Sequence, residues 1–575
     1  MDALALTVLA ASKWLLPVLA VWLLLRCVRS MLQESYEPEL WARLEFADGS
    51  TADICHWECI IGRGRGCDVV IPRDCVERTH AALIRSDRGE WRLYDLTSDA
   101  RTANGARRDD GSGLDVHSGD VLFFSGVGAV FHALDDRELL AHGGQRSVPG
   151  QYVSQGMTLL LLTLFQLLLT LQFAAVPGDR GDVVLAFAAL CLIQWSFYFL
   201  MRGIDRSGFE IETLAFFLCT LGLAVTATAA PEQIVRHLVL LCAGVVMFLF
   251  LGWWLRDLRR TKAMRWPVAL AALGLLALNL LSGSTANGAM NWLSVGGVSL
   301  QPSEFVKVAY IYVGAATLDR LYRGRNLFLF IAFSAVCVGA LALMGDFGTA
   351  LIFFSTFLVI SFMRSGSFAT VFLAVSGAAL AGFLVLTVKP YIAQRFASWG
   401  HIWADPYGAG WQQTRALSAA AGGGLIGVGA GQGWLRGIFA ADTDMVFCLV
   451  SEELGLIIAL CAMLALAAIG FFAVRSAAGG RSSYFVIAAC AASSMMLVQL
   501  ALNVFGSTDI LPFTGVTFPF VSRGGSSLIS CWMLLAFLKA ADTRQNASFS
   551  VRLSAKRTRH PAEDVPEPGE EDDLL

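Results

Sequence analysis

Residues 441–455 read ADTDMVFCLVSEELG: Asp442, Thr443 and Asp444 form an acidic turn, and an apolar run that continues to about residue 473 begins at once behind them. A run of that length spans a bilayer, so the chain passes from water into lipid at Asp444. Acids at a membrane edge are costly, which marks Asp444 as a candidate functional group. The competing reading is that Asp442, Thr443 and Asp444 cap the helix by accepting from its first free N–H groups.

Working outward, the 575-residue chain is 56% hydrophobic and 15% charged, the composition of an integral membrane protein. A net charge of −3 argues against a nucleic-acid partner. Its 13 cysteines mostly stand singly in apolar spans, and Cys55, Cys59, Cys67 and Cys75 lack the paired spacing of a zinc site.

Residues 1–30 form a first transmembrane helix, apolar from about Leu4 to Cys27 with Arg26 and Arg29 at its end, which places the amino terminus outside and the next domain in the cytoplasm. From 37 to 140 the texture changes to short alternating runs such as CIIGR, DVVIP and DVLFF, the pattern of a small all-β sandwich. A polar linker, 141–152, leads to a polytopic domain over 153–541, with about twelve further spans and about thirteen in all. Among the expected spans are 303–318 and an unbroken 446–473. The external loops are then 284–302, 389–445 and 506–523, and the Gly- and aromatic-rich stretches of the first two read as re-entrant or surface-hugging. Residues 542–575, ending PAEDVPEPGEEDDLL, read as a disordered cytoplasmic tail.

Within the β domain, GRGRGCDVVI, VERTHAAL, DLTSDARTANG and HSGDVLFF follow one another in the order of a forkhead-associated (FHA) domain, which this region resembles. The resemblance implies phosphothreonine reading through Arg63, Arg78 and Ser98. Glu77 stands where that family has Ser, however, and Ala100 where it has Asn. A carboxylate repels a phosphate and Ala supplies no hydrogen bond, so a docking or scaffold role is expected instead.

In the polytopic domain, five ordered motifs resemble the FtsW/RodA/SpoVE (SEDS) family over roughly 266–541. They are NGAMNWLSVGGVSLQPSEFVKV, GDFGTALIFF, PYIAQRFASWGHIWADPYGAGWQ, the 441–455 stretch, and NVFGSTDILPFTGVTFPFVSRGGSS. The resemblance implies a peptidoglycan glycosyltransferase that polymerises lipid II beside a class B penicillin-binding protein and other division or elongation proteins. It makes Asp444 the essential acid. Glycosidic bond formation needs a base for the acceptor hydroxyl, with Asp442 as the rival, and cations for a pyrophosphate leaving group.

Cation candidates are Lys307, Arg395, Arg415 and Arg523, and the motif residues Glu304, Gln412, Ser522 and Ser526 join the implied substrate set. Glu304 and Lys307, three apart, share a helix face and equally suit an internal ion pair. Glu452 reads as structural or substrate-orienting. Departures from the family are Asn291 in place of Arg, Arg415 in place of Gln and Arg523 in place of Tyr. A divalent cation such as Mg is left open as a helper for the pyrophosphate. Two other functions stay in view, a lipid II flippase and a non-enzymatic scaffold.

Overall fold

The structure, a computed structural model, describes all residues except 1–2, 35, 37, 87–88, 97–112, 136, 140–141, 143–148, 179, 287–288, 296–297, 319–323, 389–398 and 550–575. Ser98, Ala100 and Arg395 therefore lie outside the described residues, as does most of the 141–152 linker.

Helix α1 (Ala3–Gln33) leads into a β domain whose strands alternate buried and exposed residues, as in Ala42–Phe46 (β1). The remaining strands are β2 (Thr51–Ile54), β3 (Glu58–Gly62), β4 (Val69–Val70), β5 (Ala81–Arg85), β6 (Trp91–Asp95), β7 (Leu114–Val116), β8 (Val121–Phe124) and β9 (Val127–Ala133). They form two sheets, ordered β2-β1-β9-β8 and β4-β3-β5-β6-β7. Trp91 meets Phe131 of the other sheet with ring centroids 5.3 Å apart, so the inward residues of both sheets build one core.

The helices that follow are α2 (Gln155–Ala174), α3 (Gly181–Gly203), α4 (Glu210–Ala229), α5 (Ile234–Trp254), α6 (Leu258–Ala263) and α7 (Arg265–Ser282). Then come α8 (Pro302–Thr317), α9 (Gly324–Leu343), α10 (Phe347–Ser365), α11 (Phe368–Val388), α12 (Trp411–Gly423), α13 (Val446–Leu454), α14 (Leu456–Ala478), α15 (Ser483–Ser507) and α16 (Gly525–Ala541). Ten helices among the described residues are long and apolar enough to cross a membrane. Helices α8, α11 and α16 stand at the remaining positions where spans are expected. The helix α4 lies fully inside the bundle. Beside it the amides of Gln166 on α2 and Gln194 on α3 bond reciprocally at 3.0 and 2.9 Å, and Gln166 also donates to Thr220 on α4 at 2.9 Å.

Three expectations need correction. The span expected over 446–473 is two helices, because Gly455 adopts φ +98 and lies against the Leu425 carbonyl, where a Cβ would fall 2.3 Å from oxygen. The 284–302 loop, expected only to re-enter or hug the surface and given no strands, carries a three-stranded meander, β10 (Ser284–Ala286), β11 (Ala289–Val295) and β12 (Val298–Leu300). The tail is not free from Asp542 onward: residues 542–544 and 547–549 are buried, and Arg544 pairs with Glu210 and Asp542 at 3.1 and 2.9 Å and also with Glu34.

The β domain is seated on one end of the helical bundle. Glu58 on β3 is buried there, accepting from Lys262 Nζ at 2.8 Å, Ser482 Oγ at 3.1 Å and the Ser483 backbone N–H at 3.2 Å. Trp57 N donates to the Arg481 carbonyl at 2.7 Å, and Arg481 Nη2 donates to Glu39 at 2.8 Å. Burial alone would raise the Glu58 pKa, but the Lys262 charge and the serine donors override it and bring the carboxyl from 4.5 to about 2. A depressed acid stabilises above its unfolded pKa, so docking is expected to be constant from pH 8 to about 5 and to weaken as pH falls below 4.5 toward 2. Limited proteolysis between the domains as a function of pH checks this. Glu58→Gln should expose the junction already at pH 7, and equal protease resistance in that variant would contradict it.

Candidate active site

Helix α15, 25 residues and about 37 Å long, runs from the docked β domain to the opposite end of the bundle, and so fixes where the acidic turn stands. Near its far end, Asn503 donates from Nδ2 to the carbonyls of Asp444 at 3.1 Å and Val516 at 2.7 Å. One amide thus ties the acidic turn to the 506–523 loop. Ser522 donates to the Thr443 carbonyl at 2.6 Å and accepts from Phe518 N at 2.7 Å. Asp444 is half-buried. Gly515, at φ +69, leaves room for it, since a Cβ there would stand 3.2 Å from Asp444 Oδ2.

Asp442 is buried and ion-paired with Arg523, whose backbone N also donates to the Asp442 carbonyl at 2.8 Å. The Asp442 carboxylate is thus held by a guanidinium. Glu452 and Glu453 are fasteners: Glu452 accepts from the N–H groups of Trp434 and Leu435 at 2.9 and 3.0 Å. Glu453 accepts from Thr228 at 2.7 Å and from Gly431 N at 3.0 Å. The same loop is held from α1 and α2, where Lys13 donates to the Val428 carbonyl and Gln172 accepts from Ala430 N at 3.1 Å.

A cavity of roughly 450 Å³ opens beside this turn. Thr443, Arg523 and Ser526 line it from the acidic turn and the start of α16, Arg236 and His237 from α5, and Trp292 from β11. Arg236 and Arg523, the latter also paired with Asp442, give its lining the character of an anion site. Among the described residues, no three His, Cys, Asp or Glu side chains group as metal ligands.

The residues expected at the substrate divide. Ser526 lines the cavity, and Ser522 shapes its wall from behind. Lys307 and Glu304 do not line it; they form a buried pair at 2.8 Å, completed by Gln499 at 3.0 Å and by Ser530, which donates to Glu304 at 2.7 Å. Gln412 donates to the Phe439 carbonyl at 3.0 Å, and Arg415 stacks 4.3 Å from the Trp411 ring, both on α12 and its loop. The sequence reading missed Arg236, His237 and Asn503. An arginine and a histidine opening the otherwise apolar IVRHLVLL of α5 were the available signal.

In the β domain, Arg63 pairs with Asp74 at 2.7 Å on the surface, and Arg78 and Glu77 are both exposed. Burial lowers the His80 pKa below 6.5 against the charges of Asp95 and Glu77. Its Nδ1 accepts from Glu77 N at 3.4 Å, which holds the loop between β4 and β5.

Fold and site define a polytopic membrane protein with an acid-bearing turn beside a cationic cavity at one end and a β sandwich seated at the other. Residues 214–547 match the FtsW/RodA/SpoVE family of cell cycle proteins, and residues 59–125 match the FHA domain. The peptidoglycan glycosyltransferase RodA of Mycobacterium tuberculosis is 31% identical over 330 residues, 54% of this chain and 69% of the relative. Stage V sporulation protein E of Bacillus subtilis is 34% identical over 277 residues, 46% of this chain and 75% of its own. A chain of a solved peptidoglycan synthase complex aligns over 59% of this chain and 98% of its own, with 27% identity and a TM-score of 0.48.

The chain belongs to the FtsW/RodA/SpoVE family. The match begins at 214, earlier than the motifs that start near 266, so α4 and α5 with its Arg236 and His237 are part of the family core. Helices α1, α2 and α3 precede it.

Proposed function

We propose that this protein is a peptidoglycan glycosyltransferase that polymerises lipid II on the outer face of a bacterial cell membrane, with Asp444 as general base. Asp444 takes the proton of the acceptor sugar hydroxyl while that oxygen attacks the donor's anomeric carbon. The bond from that carbon to the pyrophosphate breaks, and the pyrophosphate leaves with the electron pair toward Arg236 and Arg523. The observation that carries this reading is the pinning of the Asp444 turn by Asn503 and Ser522 beside a cavity with two guanidiniums. Relatives named peptidoglycan glycosyltransferases support it.

The orientation is supported by charge, since Lys262, Arg475, Arg481 and Arg544 gather at the end where the FHA domain sits, as cytoplasmic ends do. A class B penicillin-binding protein is the proposed partner, cross-linking what this chain polymerises. Purified protein given labelled lipid II, with and without such a partner, should yield a ladder of glycan strands. Transfer of lipid II across vesicles with no polymer formed would instead make it a transporter.

The FHA domain serves as a docking module, supported by Glu58 and Trp57, which turn β3 into the membrane-domain contact. Its phosphothreonine set is incomplete: Glu77 opposes a phosphate and Arg63 is already paired. One charge-assisted bond is worth about 1.5–3 kcal/mol, so two lesions cost roughly two to four powers of ten in affinity. Titration with phosphothreonine peptides should show no binding, and Glu77→Ser with Ala100→Asn should restore part of it. Tight phosphate-dependent binding by the unaltered protein would contradict the docking role.

A further inference from the structure

His237 stands between α5 and α4 with its Nδ1 3.2 Å from Thr226 Oγ1. The Thr226 hydroxyl has one proton, and it goes to the Gly222 carbonyl at 2.9 Å. Toward the ring Thr226 therefore accepts, and Nδ1 carries the imidazole proton. A neutral ring protonated at Nδ1 has a bare lone pair at Nε2. His237 is 4% exposed and lines the 450 Å³ cavity, and its Nε2 has no hydrogen-bond partner among the described residues. Buried acceptors are normally satisfied, so an unfilled one on a residue that lines a cavity points to a donor that comes with the cavity's occupant.

The other groups lining the cavity show which part of the occupant this is. Arg236 and Arg523 supply donors only and suit an anionic group. His237 supplies an acceptor, which a fully ionised phosphate cannot use and a sugar hydroxyl or acetamido N–H can. We propose that His237 Nε2 accepts a hydrogen bond from a hydroxyl or amide donor of the lipid-linked sugar, orienting that sugar while the two guanidiniums hold its phosphates. This rests on the glycosyltransferase reading and adds a sugar-positioning residue to it. Thr226 has a part in it, because its bond to Nδ1 fixes the tautomer that leaves the lone pair at Nε2.

Two substitutions separate this role from packing. The amide nitrogen of Asn reaches the place of Nδ1 and can keep the bond to Thr226, but leaves nothing at Nε2. The amide of Gln reaches the place of Nε2 and gives up the bond to Thr226. The measurement is equilibrium binding of full-length protein in detergent to a fluorescent undecaprenyl-pyrophosphate disaccharide and to undecaprenyl pyrophosphate without sugar.

His237→Asn should weaken binding of the sugar-bearing lipid by about tenfold, the worth of one hydrogen bond, and leave the sugarless lipid unaffected. His237→Gln should stay within about threefold of the unaltered protein for both. The reverse order, equal binding by all three proteins, or equal loss of both lipids in both variants would overturn the proposal. Binding is read apart from turnover, so a protein that binds the sugar through His237 yet makes no polymer would defeat the glycosyltransferase reading alone.

Discussion

Asp444→Ala and Asp444→Asn are expected to lose polymer formation by a factor of about 10² to 10⁴, the usual worth of a positioned general base. Expression and thermal stability should stay close to those of the unaltered protein. The Asp444 side chain is half-buried, and the turn is held at its backbone through Asn503 and the 2.9 Å bond from Asp444 N to the Ala440 carbonyl, contacts that both substitutions keep. Removing the carboxylate therefore removes a proton acceptor without opening a core. Asn503→Ala should act on the same step from behind, by releasing the turn from Val516, and should lower turnover more than substrate binding. That split is read from kcat and KM in the polymerisation assay.

Arg544→Met is expected to be the most destabilising change outside the site. The guanidinium is fully buried, with Nη2 at 3.1 Å from Glu210 and 2.9 Å from Asp542, Nε at 3.1 Å from Asp542, and Nη1 on Glu34. It also lies 5.3 Å from the Tyr36 ring. Taking it away strands three buried carboxylates, and breaking a buried pair in this way costs about 3–5 kcal/mol. Against a total stability of roughly 5–15 kcal/mol, that loss should show as a large fall in melting temperature in detergent. Residues 542–549 should become protease-sensitive with it. Arg544→Lys should recover little, since one ammonium cannot reproduce the fork that meets Glu34, Glu210 and Asp542 together. An unchanged melting temperature in Arg544→Met would contradict the account of the tail as a buried clasp.

That clasp shows what could not be read from the chain in linear order. Arg544 lies 510 residues from Glu34 and 334 from Glu210, in a segment whose polarity looks like that of a disordered tail. Its burial follows from partners that only the folded bundle brings together. The break at Gly455 was hidden differently: apolar residues flank Glu452 and Glu453, and only the use of both acids to fasten the loop after Gly427 shows why the helix stops there.

What depends on local pattern was legible. Apolar runs located the helices, period-two alternation gave the sandwich, and three-residue spacing anticipated the Glu304–Lys307 pair. The site was half legible. The motif loops put forward Asp444, Ser522 and Ser526 as candidates, and of these Ser526 lines the cavity and Ser522 bonds the acidic turn, whereas Arg236 and His237 lie on a helix whose composition is dominated by its apolar length. Their bearing on the cavity depends on how α5 packs beside α16, which no periodicity reveals.

The most direct test of the account is a single gel of glycan strands made from labelled lipid II by the purified protein, by Asp442→Asn and by Asp444→Asn, each with the same partner. Asp442 is held by Arg523, and Asp444 is half-buried in the turn whose Thr443 lines the cavity. The account predicts a full ladder from the unaltered protein, a weaker ladder from Asp442→Asn and none from Asp444→Asn. A ladder from Asp444→Asn that matches the unaltered protein would contradict it.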